Sequence, residues 1–166
     1  MHVGVFGPVE DVGGGLMVGT KLEIEMADDR SLPCDVALTA ELRKGRYEVV
    51  ALTCTRRPNG PEITSELIRT VPVGAVLRRG ALDAHKLFSP GANPARLRAE
   101  GPTDDTLRVV ARVYRMAVVV RDDPTRAVAS TFDVPRPTAS RWVQMARKRR
   151  FLGPAEERKA GERKRR

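Results

Sequence analysis

The side chains of this chain with chemistry to offer are unevenly placed. Residues 124 to 166 hold 13 Lys and Arg against 4 Asp and Glu, a surplus of +9 that equals the net charge of the whole protein. The first 123 residues hold 17 groups of each sign and are neutral. The chemistry open to such an end is electrostatic, the meeting of a polyanion, and the neutral remainder is not built for it.

Covalent and metal chemistry has little raw material by comparison. His2 and His85 are the only histidines, and one stands at the terminus. Cys34 and Cys54 lack the close Cys or His spacing of a zinc site and read as reduced, structural thiols. Gly13, Gly14, Gly15, Gly19, Thr20 and Lys21 superficially suggest a phosphate loop. The Thr and Lys are in the wrong order, however, and a strand follows where phosphate cradling needs a helix, so the segment reads as a linker or turn. Asp28-Asp29 and Asp104-Asp105 read as a turn and a helix start. Arg56-Arg57 reads as a solvated loop tip, with a secondary phosphate contact as the other reading. No catalytic residue, metal site or cofactor is expected.

The basic end has an internal pattern that must position its charges. Thr103 offers a cap with Asp104 and Asp105 in the first turn, and Leu107, Val110, Val113, Tyr114, Ala117 and Val120 line a helix behind it. Apolar residues recur at Ala127, Val128 and Phe132, pause from Asp133 to Pro137, and resume at Ala139, Trp142, Val143 and Ala146. Pro135 and Pro137 make this two short helices and a tight turn rather than one long helix. Gly153-Pro154 supplies the expected stop.

From Thr125 to Val143 the chain resembles the helix-turn-helix DNA-binding proteins, specifically the tri-helical, homeodomain-like type of actinobacterial regulators and recombinase DNA-binding domains. Ala129 stands at the small position where the two helices touch, and Val128, Phe132, Val134, Ala139 and Trp142 at the apolar ones. An excess of 24 Arg over 6 Lys agrees with a GC-rich genome. The resemblance covers the C-terminal third. The chain departs from the family by Asp133 where a turn Gly is usual, and by Pro135 or Arg136 in place of a Ser or Thr cap.

Within that resemblance, the face of Pro137, Ser140, Arg141, Gln144 and Lys148 would enter the major groove, opposite the apolar face. Arg136, Ser140, Arg141 and Gln144 are the expected base readers. Arg141 suits both acceptors of a guanine edge and Gln144 suits adenine. Thr125, Arg126, Thr138, Arg147, Lys148, Arg149 and Arg150 are the expected phosphate contacts. Trp142 is expected in the core. The run from Glu156 to Arg166 mixes charges without apolar anchors and reads as disordered, with a role in lengthening the phosphate footprint left open.

The N-terminal half looks mainly β. Leu22, Ile24 and Met26 alternate with charged residues, as do Val36, Leu38, Ala40 and Leu42 with theirs, and Arg43 to Arg46 reads as a turn into a strand from Tyr47 to Thr55. Thr64 to Leu82 suits helix, interrupted or restarted at Pro72, and would bury Leu67, Ile68, Val76 and Leu77. The expected boundaries are a flexible segment 1–19, a β-rich domain 20–88, a Pro- and Gly-rich linker 89–102, a helix-turn-helix domain 103–153 and a basic tail 154–166. The fold class is α+β, a small mainly β domain with one or two helices joined to a C-terminal three-helix helix-turn-helix domain.

No apolar run is long enough to span a membrane and no signal peptide is evident, so a cytoplasmic, nucleoid-associated protein is expected. The resemblance implies a sequence-specific binder of double-stranded DNA that is not an enzyme, a transcriptional regulator acting as a homodimer, with the N-terminal domain available to a protein partner. Two other readings stay open. One is a DNA-binding accessory protein of a mobile element or recombination system. The other is a basic module that meets an acidic protein.

Overall fold

The computed structural model of the chain describes residues 1–85 and 93–153. The chain divides into two compact units, Met1–Glu10 with Val18–His85, and Asp11–Met17 with Lys86–Arg166. The architecture is mixed α and β, a four-stranded antiparallel sheet followed by helices.

In the first unit, β1 (His2–Asp11), β2 (Met17–Met26), β3 (Asp35–Arg43) and β4 (Arg46–Thr55) pair in sequence order. Alternation sets the register. Leu22 lies opposite Ala40, Ile24 opposite Leu38 and Met26 opposite Val36, and all six are buried. Slipping by one residue would turn these apolar chains to solvent, so the buried face specifies the pairing. Lys44 and Gly45 both have positive φ, 52° and 74°, as the two-residue turn between right-twisted strands demands. A register shift between Thr39 and Ala40 leaves Val50 as the extra residue on β4, where it turns outward.

α1 (Ser65–Thr70) starts at Thr64, whose hydroxyl accepts from the Leu67 amide, and α2 (Val73–Ala84) restarts at Pro72. α2 buries Val76, Leu77, Gly80 and Ala81. A Cβ at Gly80 would run into the Ile24 side chain, so the glycine sets how closely α2 approaches the sheet. Leu67 is only half-buried and Ile68 is 43% exposed, against the expectation that both join the core. A helix of six residues has room for few core positions, and α2 supplies the apolar face here.

The segment expected to be flexible, 1–19, instead contains β1 and the start of β2. Gly4, Gly7 and Pro8 hide the strand, because an outer edge with no further partner tolerates a proline and a left-handed Gly7 (φ 75°) that a central strand would not. Gly13 to Gly15 form the turn between β1 and β2, closed by bonds from the Leu16 amide to the Gly13 carbonyl and from the Val12 amide to the Leu16 carbonyl. Arg57 is not a solvated loop tip. Its guanidinium donates to the Asp35 carboxylate at 2.6 Å and to the carbonyls of Asp29, Leu32 and Cys34, tying the β2–β3 loop together.

The second unit contains α3 (Pro94–Glu100), α4 (Asp104–Val119), α5 (Pro124–Phe132) and α6 (Arg136–Lys148). α3 falls inside the expected linker 89–102. Asn93 caps it by accepting from the Ala95 amide at 2.8 Å, and Pro94 sits in its first turn. A proline pre-sets φ where the missing amide has no partner anyway, so Asn-Pro is a helix start here. Seven residues with one buried anchor, Leu97, show no period to read. Residues 86–92 of the expected domain and linker, and the expected tail 154–166, lie outside the described residues.

α4 begins as expected, with the Thr103 hydroxyl accepting from Thr106 and Asp104 and Asp105 in the first turn. It buries Leu107, Val110, Val113, Tyr114 and Ala117 against α5 and α6. Each of the three helices ends in a left-handed residue that is not glycine: Arg121 (φ 57°), Asp133 (φ 49°) and Arg150 (φ 63°). The exit from α6 is therefore at Arg150, earlier than the expected Gly153. Phe151 donates to the Ala146 carbonyl and Arg150 to the Arg147 carbonyl, which satisfies the last turn.

Candidate functional site

α6 is amphipathic in the sense that matters for a site. Ala139, Trp142, Val143 and Ala146 are buried, while Pro137, Arg141, Gln144 and Lys148 are exposed and Ser140 is half-exposed. Its orientation against α5 is held by Phe132 and Trp142, packed edge to face with ring centroids 5.4 Å apart. Asp133 makes the turn in the left-handed conformation, and the Val134 amide returns to the Ala129 carbonyl. Arg98 on α3 donates to the Asp133 carboxylate at 2.6 Å and to its carbonyl at 3.1 Å, which steadies a turn that has no glycine.

The expected site residues meet different surroundings. The side chains of Arg141, Gln144 and Lys148 make no hydrogen bond or ion pair with any of the described residues. Thr138, like Ser140, is half-exposed on the first turns of α6. Arg136 is exposed and donates to the Asp123 carboxylate at 2.7 Å. That carboxylate also accepts from the amides of Thr125 and Arg126, both at 3.0 Å, and so caps α5. These hydrogen bonds, first that from the Arg126 amide and then that from Arg136, hold the Asp123 carboxyl below the usual range against the opposing effect of burial. Arg126 itself pairs with Asp122 at 2.6 Å. The α5 terminus, expected to offer its amides to a phosphate, thus already has an internal anion.

Arg147 points inward. It donates to the Tyr114 hydroxyl at 2.8 Å and to the Gly153 carbonyl, and its guanidinium lies 5.1 Å over the Tyr114 ring. It fastens the exit of α6 to α4 rather than facing outward with Lys148. Arg149 pairs with Asp104 at the start of α4. Arg150 is exposed and lies on the wall of a groove between α3, α4 and the end of α6.

The internal partners were hard to read from the sequence. Asp122-Asp123-Pro124 carries the one usable signal, an acidic cap followed by a proline at the first helical position. Arg98, Arg112 and Arg115 have no local pattern that marks them. Among the described residues no group of three or more His, Cys, Asp or Glu could hold a metal ion, and no helix is long and apolar enough to cross a membrane. Set against protein-family models, curated proteins and solved structures, the chain matches none.

Proposed function

We propose that the chain is a sequence-specific DNA-binding protein, most simply a transcriptional regulator, in which α5, the Asp133 turn and α6 act as a helix-turn-helix and α6 enters the major groove. The observation that carries this reading is the outer face of α6. The side chains of Arg141, Gln144 and Lys148 stand exposed and without partners among the described residues, on a helix whose other face is fixed by Phe132 and Trp142. A guanidinium and a carboxamide at that spacing can read guanine and adenine edges, each contact worth about 1–3 kcal/mol of discrimination. Lys148 supplies a phosphate contact without sequence information. Arg136 joins the readers by leaving Asp123 for a base, an exchange of one anionic or acceptor partner for another.

One such motif covers only a few base pairs, so useful specificity calls for two copies of the chain on a two-fold or repeated site. Selection from random duplexes tests the reading. An enriched motif is expected, relaxed at one position by Arg141→Ala and uniformly weakened by Lys148→Ala. Salt-sensitive binding without any motif would make the module a general DNA clamp. Absence of duplex binding at low salt would assign the basic face to a protein partner instead.

A further inference from the structure

We infer that the groove between α3, α4 and the residues after α6 is a binding site for a small phosphorylated molecule, separate from the outer face of α6 and independent of the DNA-binding reading. The groove is open to solvent and has a volume of about 660 Å³, within the range of small-ligand sites. Its lining includes the apolar side chains of Leu97, Val109 and Phe151. Its walls are strongly cationic. Arg96 is neutralised by Glu100 at 2.7 Å and Arg108 by Asp105 at 2.6 Å, which accounts for both acids in the lining.

Arg112 and Arg150 then remain on the same concave surface without an acid partner among the lining residues, and Arg115 lies in that lining as well. Arg115 is buried and donates to the Phe151 carbonyl at 2.6 Å, so its charge is fixed in place beneath the groove. Gly14 lies against the Arg115 guanidinium, and a Cβ there would collide with it. The side chains of Arg112 and Arg150 make no hydrogen bond or ion pair with any described residue. Convergent positive charge in a concavity concentrates an anion from solution. Planar guanidinium groups present paired donors that match phosphate oxygens.

The ligand class is a small organic molecule bearing at least two phosphate groups, spread between Arg112 and Arg150, with its apolar part against Leu97, Val109 and Phe151.

Titration calorimetry of the full chain with inorganic pyrophosphate and with ADP, without DNA and at about 0.15 M salt, tests this. Saturable binding to a single site is expected. Arg112→Gln and Arg150→Gln should each weaken it by about tenfold, the size of one lost charge-assisted hydrogen bond. Arg141→Gln and Lys148→Gln should leave it unchanged, and thermal melts establish that all four variants fold. Failure of both probes to saturate would overturn the proposal, as would equal weakening by the α6 variants, which would mean attraction to net charge alone. So would weaker duplex binding by Arg112→Gln and Arg150→Gln with no pyrophosphate binding, since the groove would then belong to a nucleic-acid footprint. A chain that binds no duplex but saturates with pyrophosphate would sink the DNA reading and keep this one.

Discussion

Arg141 and Arg147 sit on the same helix, and their guanidinium groups have different tasks. Arg147 is spent on Tyr114 and Gly153, so its removal leaves two acceptors and an aromatic face without their partner. Arg147→Ala should cost about 1–3 kcal/mol of stability, seen as a lower urea midpoint, with the duplex motif unchanged in the folded protein. Arg141 has no such partner among the described residues, so Arg141→Ala should leave the midpoint in place and change only what is bound. Reversal of the two phenotypes would mean that Arg147 faces the ligand. Both residues read alike in the sequence, as cations on a basic helix. Their difference comes from Tyr114, which is distant along the chain and adjacent in space.

At the scale of the element, α5 presents opposed effects at one carboxylate. Asp123 caps the helix and holds Arg136, so Asp123→Ala should cost about 1 kcal/mol of stability. The same change frees the amides of Thr125 and Arg126 and releases Arg136, so under the DNA reading duplex binding at low salt should tighten. Stability and affinity moving in opposite directions is the expected outcome, read by melts and by fluorescence anisotropy. Weakened binding would show that Asp123 positions α5 for its ligand instead. In α2, Gly80→Ala puts a methyl group into Ile24, and overpacking of this kind should cost about 1–3 kcal/mol. The long periodic helices α4 and α6, and the β3–β4 hairpin, were legible because each shows its buried face directly in its spacing. β1 and α3 were not, since an edge strand and a helix of seven residues bury too little to leave a period.

For the molecule as a whole, charge and pH act on different places. His85 is half-buried beside Tyr47, its Nε2 3.0 Å from the tyrosine hydroxyl, which in turn donates to the Gly19 carbonyl at 2.7 Å. With the tyrosine proton so committed, the imidazole Nε2–H is the donor to Tyr47. Burial lowers the His85 pKa below its ordinary 6.5 and raises that of Tyr47 to about 12. Because the folded state resists taking the proton, stability is fully present above pH 6.5 and declines as the pH falls from there through the lowered value. Denaturation midpoints between pH 7.5 and pH 5, on the order of one reading per half unit, should show this slope, and His85→Gln should flatten it. The lowered carboxyls of Asp29, Asp35 and Asp123 act in a lower window, losing their contribution as the pH falls below 3.8. Since Arg126, Arg147 and Arg149 have internal partners, Lys148 and Arg150 remain of the expected cationic phosphate contacts, so about 2 such contacts and a log-log salt slope of about −1.8 are expected for the described residues. The sequence by itself determined the alternating core strands, the long helices, the apolar seam of Phe132 and Trp142, and the concentration of positive charge at one end. All of these follow from local periodicity and from sums that need no geometry. Only the tertiary structure decided which cations are engaged and which are free to act, and that a groove gathers Arg112, Arg115 and Arg150. Those outcomes depend on pairings between side chains far apart along the chain, for which neither spacing nor composition carries a signal.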